Sequence, residues 1–597
     1  MRKAERMMKK WTGGALALLV LIAAFGAWRD SAAAPAKTNT ANERGWWKNA
    51  VIYQVYPRSF QDTSGDGIGD LNGITGHLDY LKELGVDAIW LTPVYPSPNA
   101  DFGYDVADYR DISPEYGSLE DFNRLVAEAN KRNIRVVMDI VMNHTSDENT
   151  WFVQSRSSRT DPYRDWYVWR DGKDETATSP GEPPNNWGGY GHSSWVWDER
   201  TRQYYYHHFS PHQPDLNWYN PAIEQEFKEI TSYWLKLGVA GFRFDAIGTL
   251  FEDANFRDEP AALDVNGKPI LDAEGHPEIQ HVMTGLHPQV HTVMQQMRAH
   301  IDSFDTNTFP GTRVLIGETG GRTVKDLLQW YGTSQQPEFE LPMDQQLGFV
   351  NKLDVAAFRQ KIIEAETELG GNVPLLVFDN HDRDRMDARY GDGVHDVAIQ
   401  RALSTILFAS GGASLMYYGD EIGMKTTPPK TKAEVKDTMT GLANWPKYKG
   451  RDGERTPMQW NDGPNAGFTT GTPWLPVPPS AATINVKVEE GNANSLLAWY
   501  KALIRLKKTV PALENGANIM LDTENTKVLS WMRQAQGAPQ VVVSVNFTAD
   551  AQTVNLAGPQ MKAKTARALL KSPGGTDPAK LDRIELGPFG VYVGEVR

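Results

Sequence analysis

Eight short apolar runs alternate with helix-like segments along this 597-residue chain, and this alternation limits the available folds more than any other feature. The intervening segments carry apolar residues at helical spacing, as in residues 73–85. Ser118, followed by Glu120 and Asp121, is typical of a helix start. Strands that alternate with helices predict a parallel α/β architecture. The strand-like runs lie at residues 50–56, 88–93, 136–142, 241–247, 314–318, 340–343, 373–378 and 413–418.

Two segments depart from the alternation. Residues 145–218 are rich in Trp, Tyr, Asn, Gly, Pro and Ser and have no long helical period. Because structureless loops of this length are rare, we expect a small inserted domain there. From residue 514 onward, short alternating runs predict a C-terminal all-β domain, a β-sandwich over residues 514–597. The α/β unit would then consist of residues 46–144 and 219–513.

The N-terminal residues resemble an export signal. Residues 1–10 contain five Lys or Arg, residues 13–27 are apolar, and three alanines at 32–34 offer a cleavage site. We therefore expect a signal peptide over residues 1–34, a polar linker over residues 35–45, and a periplasmic or secreted protein without a stable membrane anchor after cleavage. An uncleaved anchor is the alternative.

Charge and cysteine content exclude several classes of partner and site. The formal net charge is −14. A protein with this negative charge repels phosphate backbones, so we expect no nucleic-acid partner. The chain contains no cysteine. Disulfides, cysteine–zinc sites and thiol nucleophiles are therefore excluded.

Charged side chains mark one of the strand-like runs. On a strand at residues 241–246, Arg243 and Asp245 would point to the same face, and the phenylalanines between them to the other. Arg243 would hold Asp245 ionised, as a nucleophilic carboxylate requires. A structural ion pair explains the same two residues equally well.

Three further strand-like runs end in Asp, Glu, His or Asn. They are residues 139–144, residues 314–318 with Glu318 at the end, and residues 378–382 with Asp382 at the end. In a barrel, catalytic groups gather at the C-terminal ends of several strands. Converging carboxylates fit glycoside cleavage, in which one carboxylate attacks or activates water and another protonates the leaving oxygen.

These four segments resemble, in order, the signature regions of glycoside hydrolase family thirteen, the α-amylase family. The resemblance implies a (β/α)8 TIM barrel with an inserted domain after the third strand. It also implies that Asp245 is the nucleophile, Glu318 the acid/base and Asp382 the transition-state stabiliser. The sugar-binding residues implied for the innermost subsite are Tyr104, Asp105, His144, Arg243 and His381.

Residues 213–217 resemble the mark of the oligo-1,6-glucosidase subfamily, which also holds α-glucosidases and sucrose isomerases. In that subfamily Arg451 would reach the sugar, and residues 425–469 would close the site into a pocket. A closed pocket implies attack on a terminal glucose. Gly248 and Asp384 depart from the residues that are common in relatives, which leaves the preferred linkage open.

An acidic, glycine-rich loop follows the first strand-like run. Oxygen side chains separated by glycine turns suit Ca²⁺, and the loop lacks the twelfth-position glutamate of an EF-hand. The family resemblance implies a structural calcium site at Asp62, Ser64, Asp66, the Ile68 carbonyl and Asp70. Ser64 is a weaker ligand than the Asn often found there, and a solvated turn is the alternative.

Together these features predict a retaining, exo-acting α-glucosidase that hydrolyses α-glucoside oligosaccharides or disaccharides of the maltose, isomaltose or sucrose type. A transglucosylase or sucrose isomerase of the same family is the first alternative. A non-catalytic partner subunit is a remote one, since Asp245, Glu318 and Asp382 are all present.

Overall fold

A computed structural model gives the architecture of the chain. It describes residues 45–597 apart from residues 175, 177–178, 190–191, 272–276, 305–312, 322, 443, 559–560, 562–564, 574–576 and 578. The predicted signal peptide and nearly all of the predicted linker lie outside the described residues. No helix in the described part of the chain has both the length and the apolar character needed to span a membrane.

Eight parallel strands form a closed barrel, as the sequence predicts. Each strand pairs with its sequence neighbours, and β8 pairs with β1 to close the ring. The strand predicted at residues 340–343 is confirmed as β6. The strands are β1 Val51–Val55, β2 Ala88–Leu91, β3 Arg135–Val141, β4 Gly241–Asp245, β5 Val314–Gly317, β6 Leu341–Asp344, β7 Leu375–Val377 and β8 Ala413–Tyr417.

Helices follow the strands and cover the barrel. Residues 73–85 are predicted as one helix but form two, because His77 has a non-helical backbone and its ring hydrogen-bonds to the Gly73 carbonyl. Ser118 caps the next helix in a reciprocal capping box with Asp121. The helices of this layer are Leu71–Gly76, Leu78–Leu84, Leu119–Lys131, Pro221–Lys236, Gln289–Ser303, the 3₁₀-helix Val324–Tyr331, Val355–Thr367, Asp396–Ala409 and Leu496–Thr509.

Side chains alternate between the two faces of each strand, and this alternation divides the apolar core into two layers. Alternate strand residues such as Ile52, Val137 and Leu341 fill the barrel interior. Phe242 and Phe244 of β4 pack outward against the helix layer. Arg243, between them, therefore faces the barrel interior, as the alternation of strand side chains predicts.

Small β-sheets form the two segments that break the barrel pattern. Between β3 and the helix Pro221–Lys236 lie the short helix Thr150–Ser155, a three-stranded antiparallel sheet and a two-stranded one. These sheets contain Trp169–Arg170, Trp195–Asp198 and Gln203–Tyr206, and Gly188–Gly189 and His192–Ser193. The C-terminal part has a six-stranded antiparallel sheet of Ala517–Leu521, Val528–Gln534, Val541–Asn546, Val591–Val596, Thr565–Lys571 and Ala579–Lys580, and a two-stranded sheet of Gln552–Val554 and Ile584–Leu586.

Candidate active site

Carboxylates from three strand ends meet at one cavity of about 370 Å³. Asp245 is the last residue of β4, Glu318 follows β5 directly, and Asp382 lies five residues after β7. All three line the cavity, at the C-terminal edge of the barrel. The structure therefore brings together the three residues that the sequence assigns to catalysis.

Arg243 connects the carboxylates inside the barrel. Its side chain is fully buried, over the ring of Trp90. Nη1 donates to Asp245 Oδ1 at 2.6 Å and to both oxygens of Asp139 at 3.0 Å, while Nη2 lies 2.7 Å from Glu318 Oε2. One guanidinium thus holds Asp245 and Glu318 side by side, in addition to its structural ion pair with Asp139.

Burial and Arg243 act in opposite directions on the pKa values of this cluster. Burial raises the pKa of Asp245 well above its usual value, and Glu318 and Asp139 raise it further, although Arg243 lowers it. Burial likewise raises the pKa of Asp139 to about 6. The predicted ion pair between Arg243 and Asp245 is present, and its effect on the pKa of Asp245 opposes that of burial and of the two neighbouring carboxyl groups.

Asp382 has the opposite environment. Its Oδ1 accepts from Arg451 Nη1 and Arg455 Nη2, each at 2.9 Å, and Oδ2 lies 3.1 Å from His381 Nε2. Burial raises the pKa of Asp382, but His381, Arg451 and Arg455 outweigh burial and leave the pKa well below its usual range. Burial keeps His381 itself neutral by lowering its pKa. The two arginines therefore hold Asp382 as a permanent anion at the cavity wall.

Aromatic rings and a buried histidine line the cavity between these carboxylates. Tyr104 stacks on His381 with ring centroids 5.2 Å apart and donates its hydroxyl to Asp139 at 2.9 Å. His144 Nε2 donates to the Tyr104 carbonyl at 3.0 Å, and burial lowers the pKa of His144 to about 3. His144 is therefore a neutral hydrogen-bonding group and not a charge. All three line the cavity, as predicted.

Residues 54–516 match the sequence profile of the α-amylase catalytic domain. The chain belongs to the α-amylase family. It is a glycoside hydrolase, and its matched region contains every catalytic and sugar-binding residue predicted above. This membership confirms the resemblance stated from the four strand-end segments.

Relatives within the α-amylase family match almost the whole chain. The oligo-1,6-glucosidase of Parageobacillus thermoglucosidasius is 38% identical over 93% of this chain and all of its own. Maltase 1 of Drosophila virilis is 37% identical, over 90% of this chain and 83% of its own. Among solved structures, the trehalulose synthase MutB of Pseudomonas mesoacidophila superposes with a TM-score of 0.81 at 35% identity, covering 92% of this chain and 99% of MutB. The α-glucosyl transfer enzyme XgtA gives 0.82 at 34% identity, covering 92% and 99%.

The structure does not place one predicted sugar-binding residue, Asp105, at the cavity. Asp105 is fully buried, does not line the cavity, and accepts backbone hydrogen bonds from Ala100 and Asp101. Its neighbour Asp101 lines the cavity instead and accepts from Arg451 Nη2 at 2.7 Å. Asp101, and not Asp105, is therefore the acidic side chain of this loop at the cavity. Both acids flank Tyr104 in sequence, so local sequence offers no means to choose between them.

Arg451 lines the cavity and pairs with three carboxylates. Besides Asp101 and Asp382, its Nε donates to Asp437 Oδ2 at 2.9 Å. Gln213, from the subfamily motif, donates to Asp101 at 3.3 Å and lines the same wall. From the sequence, residues 213–217 served only to identify the subfamily. Asp101, Gln213 and Asp437 were not predicted as side chains of the site.

The segment of residues 425–469 contributes to the cavity as predicted. Met439, Thr440, Tyr448 and Arg451 from this segment all line it. They face Asp101 and Gln213, which come from the loop after β2 and the inserted domain. This part of the cavity wall is therefore built from three separate regions of the chain.

The acidic loop after β1 is held by its own hydrogen bonds. Asp62 accepts from the Gly65 and Gly67 N–H groups at 2.7 and 2.8 Å and from the Thr469 hydroxyl. Asp70 accepts from Thr63 N and caps the helix Leu71–Gly76 through Gly73 N. In the described residues, no group of three or more His, Cys, Asp or Glu side chains could hold a metal ion. Calcium binding would therefore need Ser64, the Ile68 carbonyl and water to complete the ligand set, and it stays a prediction.

Proposed function

We propose that the protein is a retaining, exo-acting α-glucosidase that releases terminal α-linked glucose from short oligosaccharides or disaccharides of the maltose, isomaltose or sucrose type. The observation that carries the proposal is the cavity itself. Asp245 and Glu318, held by a single guanidinium, line it together with Arg451 and its ion-pair partners Asp101 and Asp382.

The geometry supports a two-step mechanism. The ionised carboxylate of Asp245 attacks the anomeric carbon while Glu318 gives its proton to the leaving oxygen. Glu318 then takes a proton from water, which attacks the anomeric carbon on the face opposite Asp245, and the carbon–oxygen bond to Asp245 breaks. Two displacements restore the α configuration. The anionic Asp382 would stabilise the positive charge that develops on the sugar ring.

The wall around Arg451 supports attack at a chain end. Asp101, Arg451 and Asp437 are each less than 10% exposed and form a continuous ion-pair cluster. A polysaccharide passing through this wall would have to break buried ion pairs, which costs several kcal/mol, on the order of 3–5 per pair. A terminal glucose would instead leave these ion pairs intact and contact the cavity-lining side chains of Asp101 and Arg451.

Substrate class is tested with four disaccharides. Maltose, isomaltose, sucrose and trehalose are incubated separately with the enzyme, and the products are identified by chromatography. Free glucose from at least one of them supports hydrolysis. Because two structural neighbours are a trehalulose synthase and an α-glucosyl transfer enzyme, conversion of sucrose mainly to an isomeric disaccharide would favour the isomerase alternative. No reaction with any substrate would favour a non-catalytic subunit.

Digestion of starch tests the exo-acting mode. The enzyme is expected to release glucose slowly from starch while solution viscosity stays nearly constant. A rapid viscosity drop with few reducing ends would indicate internal cutting and would overturn the closed-pocket proposal.

We also propose that the enzyme is exported after cleavage near residue 34, to the periplasm or medium, and has no nucleic-acid partner. The basic and apolar N-terminal pattern supports export, and the net charge of −14 argues against nucleic acid. N-terminal sequencing of the protein recovered from the periplasm or medium tests this. An intact residue 1 in the mature protein would contradict it.

A further inference from the structure

The turn that carries His381 and Asp382 is closed by a buried carboxyl group outside the catalytic cavity. The turn leaves β7 and ends at the short helix Met386–Tyr390. Asp379 lies near the start of the turn and is 2% exposed, and its Oδ2 accepts from the N–H of Met386 at 2.9 Å. One carboxyl oxygen therefore joins the two ends of the turn that presents His381 and Asp382 to the cavity.

A second buried carboxyl group, that of Asp420, meets Asp379 from the neighbouring strand. Asp420 lies three residues after β8 and is 5% exposed. Its Oδ2 accepts from the N–H of Tyr417 at 2.9 Å, and its carboxyl group hydrogen-bonds to that of Asp379. Ionised carboxylates only accept hydrogen bonds, so a hydrogen bond between two carboxyl groups needs a proton on one of them.

The nearby arginines do not neutralise both carboxyl groups. Arg385 donates to two backbone carbonyls at 2.7 and 2.9 Å and reaches Asp420 Oδ1 only at 3.4 Å. Burial raises the pKa of Asp379, although Arg389 and Arg385 lower it. Burial, Asp379 and Glu421 together raise the pKa of Asp420 well above its usual value. The environment therefore favours retention of one proton by the two aspartates.

Other ionisable groups also face the two aspartates. They come from the turn and its helix, from the residue after Asp420, from β1 and from the last barrel helix, and are Arg383, Tyr390, Glu421, Tyr53 and Tyr500. Burial raises the pKa of each of the three tyrosines, so they stay neutral while a carboxyl group titrates. Glu421, when ionised, adds negative charge beside Asp420 and strengthens the hold on the proton.

We propose that Asp379 and Asp420 share one proton and act as positioning residues, because their hydrogen bond fixes the turn that presents His381 and Asp382. The inference rests on the function proposed above. Neither aspartate lines the catalytic cavity, so neither touches the substrate. When the shared proton passes to water at high pH, two carboxylates face each other, and their repulsion separates the turn after β7 from the residues after β8.

Two substitutions at Asp420 separate hydrogen bonding from titration. Asp420→Asn supplies an N–H donor to Asp379 that high pH does not remove, so kcat for maltose at neutral pH should stay within about threefold of the native value. Asp420→Ala removes the donor. Its kcat should fall by about tenfold or more with a smaller change in KM, because Asp382 acts on the transition state. Equal losses of kcat in the two variants would overturn the proposal.

The pH profile of the melting temperature gives a readout that a merely structural contact would not change. A raised pKa makes the native enzyme lose stability as pH rises through the range in which the shared proton leaves. In Asp420→Asn this loss should disappear, whereas Asp462→Asn, at an exposed aspartate that pairs with Lys487, should keep the native profile. Profiles are measured from about pH 5 to about pH 10. An Asp420→Asn profile that matches the native one would overturn the proposal.

Infrared difference spectra detect the shared proton directly. At neutral pH, Asp420→Asn should lack one carboxylic-acid C=O band that the native enzyme shows, and an unchanged set of bands would overturn the proposal. Asp379→Asn, in which the amide donates in the opposite direction, repeats both measurements if Asp420→Asn does not fold. Melting and infrared measurements need no substrate. They therefore test the two aspartates even if no disaccharide is cleaved, a result that would overturn only the proposed function.

Discussion

Asp382 is the carboxylate of this site whose charge the protein fixes most firmly. Two arginines donate to one of its oxygens, and its pKa lies well below the usual range. Asp245, only partly neutralised by Arg243, has a raised pKa instead. The two environments therefore give neighbouring carboxyl groups different pKa values, and only Asp382 is held as a permanent anion.

Replacement of Asp382 by Asn is expected to lower kcat for maltose by about a hundredfold to a thousandfold, since the charge that stabilises the transition state is lost. Circular dichroism should show an unchanged fold. Steady-state kinetics measure the effect, and a variant with near-normal kcat would place the stabilising charge on another residue.

Asp101 and Asp105 provide a matched pair on either side of Tyr104. Asp101→Asn removes the charge that faces Arg451 in the cavity, so we expect kcat/KM for maltose to fall by about tenfold or more. Asp105→Asn changes a carboxylate that accepts only loop hydrogen bonds in the structure. It should therefore lower the melting temperature, and it should reduce kcat/KM for maltose less than Asp101→Asn does. The reverse pattern in the two variants would restore Asp105 as the sugar-binding residue.

The sequence predicted the position of residues whose placement depends on local geometry. Asp245 and Glu318 end strands, and the side-chain period of a strand fixes where they point. Asp101 could not be selected, because its role depends on Arg451, 350 residues away in sequence. The proton balance of Asp245 also depends on Asp139 and Glu318, which other strands supply.

At the scale of single elements, the loop after β1 can be stabilised by its own hydrogen bonds and, in addition, by a bound ion. Its aspartates accept hydrogen bonds from within the loop and from Thr469, so the loop has a defined conformation without an ion. An ion that binds the native state would add stability by mass action. Because the loop does not line the catalytic cavity, such an ion would not take part in the reaction.

We propose that calcium binds this loop, and expect a chelator to lower the melting temperature by a few degrees while kcat at 25 °C stays the same. Differential scanning calorimetry with and without calcium measures the shift. Ser64→Asn, which supplies a stronger ligand, should increase the calcium-dependent shift. If metal-free protein melts at the same temperature with and without calcium, the loop is only a turn.

Element boundaries were predicted least well where tertiary contacts decide them. The break at His77 coincides with stacking of its ring on Trp460, with ring centroids 3.7 Å apart, and the helical pattern of residues 73–85 contains no sign of it. The segment of residues 425–469 has no regular period, and its position over the cavity followed only from the family resemblance. By contrast, the Ser118 capping box was visible in the sequence and is present in the structure.

At the scale of the whole molecule, the barrel supplies the catalytic carboxylates and its insertions supply the boundary of the pocket. The closed ring of eight strands brings Asp245, Glu318 and Asp382 to one edge although they span more than a hundred residues. The inserted domain contributes Gln213, and the segment after β8 contributes Arg451. Alternation of strands and helices predicted a parallel α/β architecture and the family resemblance implied the barrel, but the shape of the pocket depends on insertions that have no periodic signal.

The central claim, double displacement by Asp245 and Glu318, is tested most directly by the configuration of the first sugar released. Proton NMR spectra are recorded during the first minutes of maltose hydrolysis, with enough enzyme to outrun mutarotation. The nonreducing glucose should appear first as the α anomer, because two inversions at the anomeric carbon restore the starting configuration. Initial release of the β anomer would mean a single displacement by water and would contradict the assignment of Asp245 as the nucleophile.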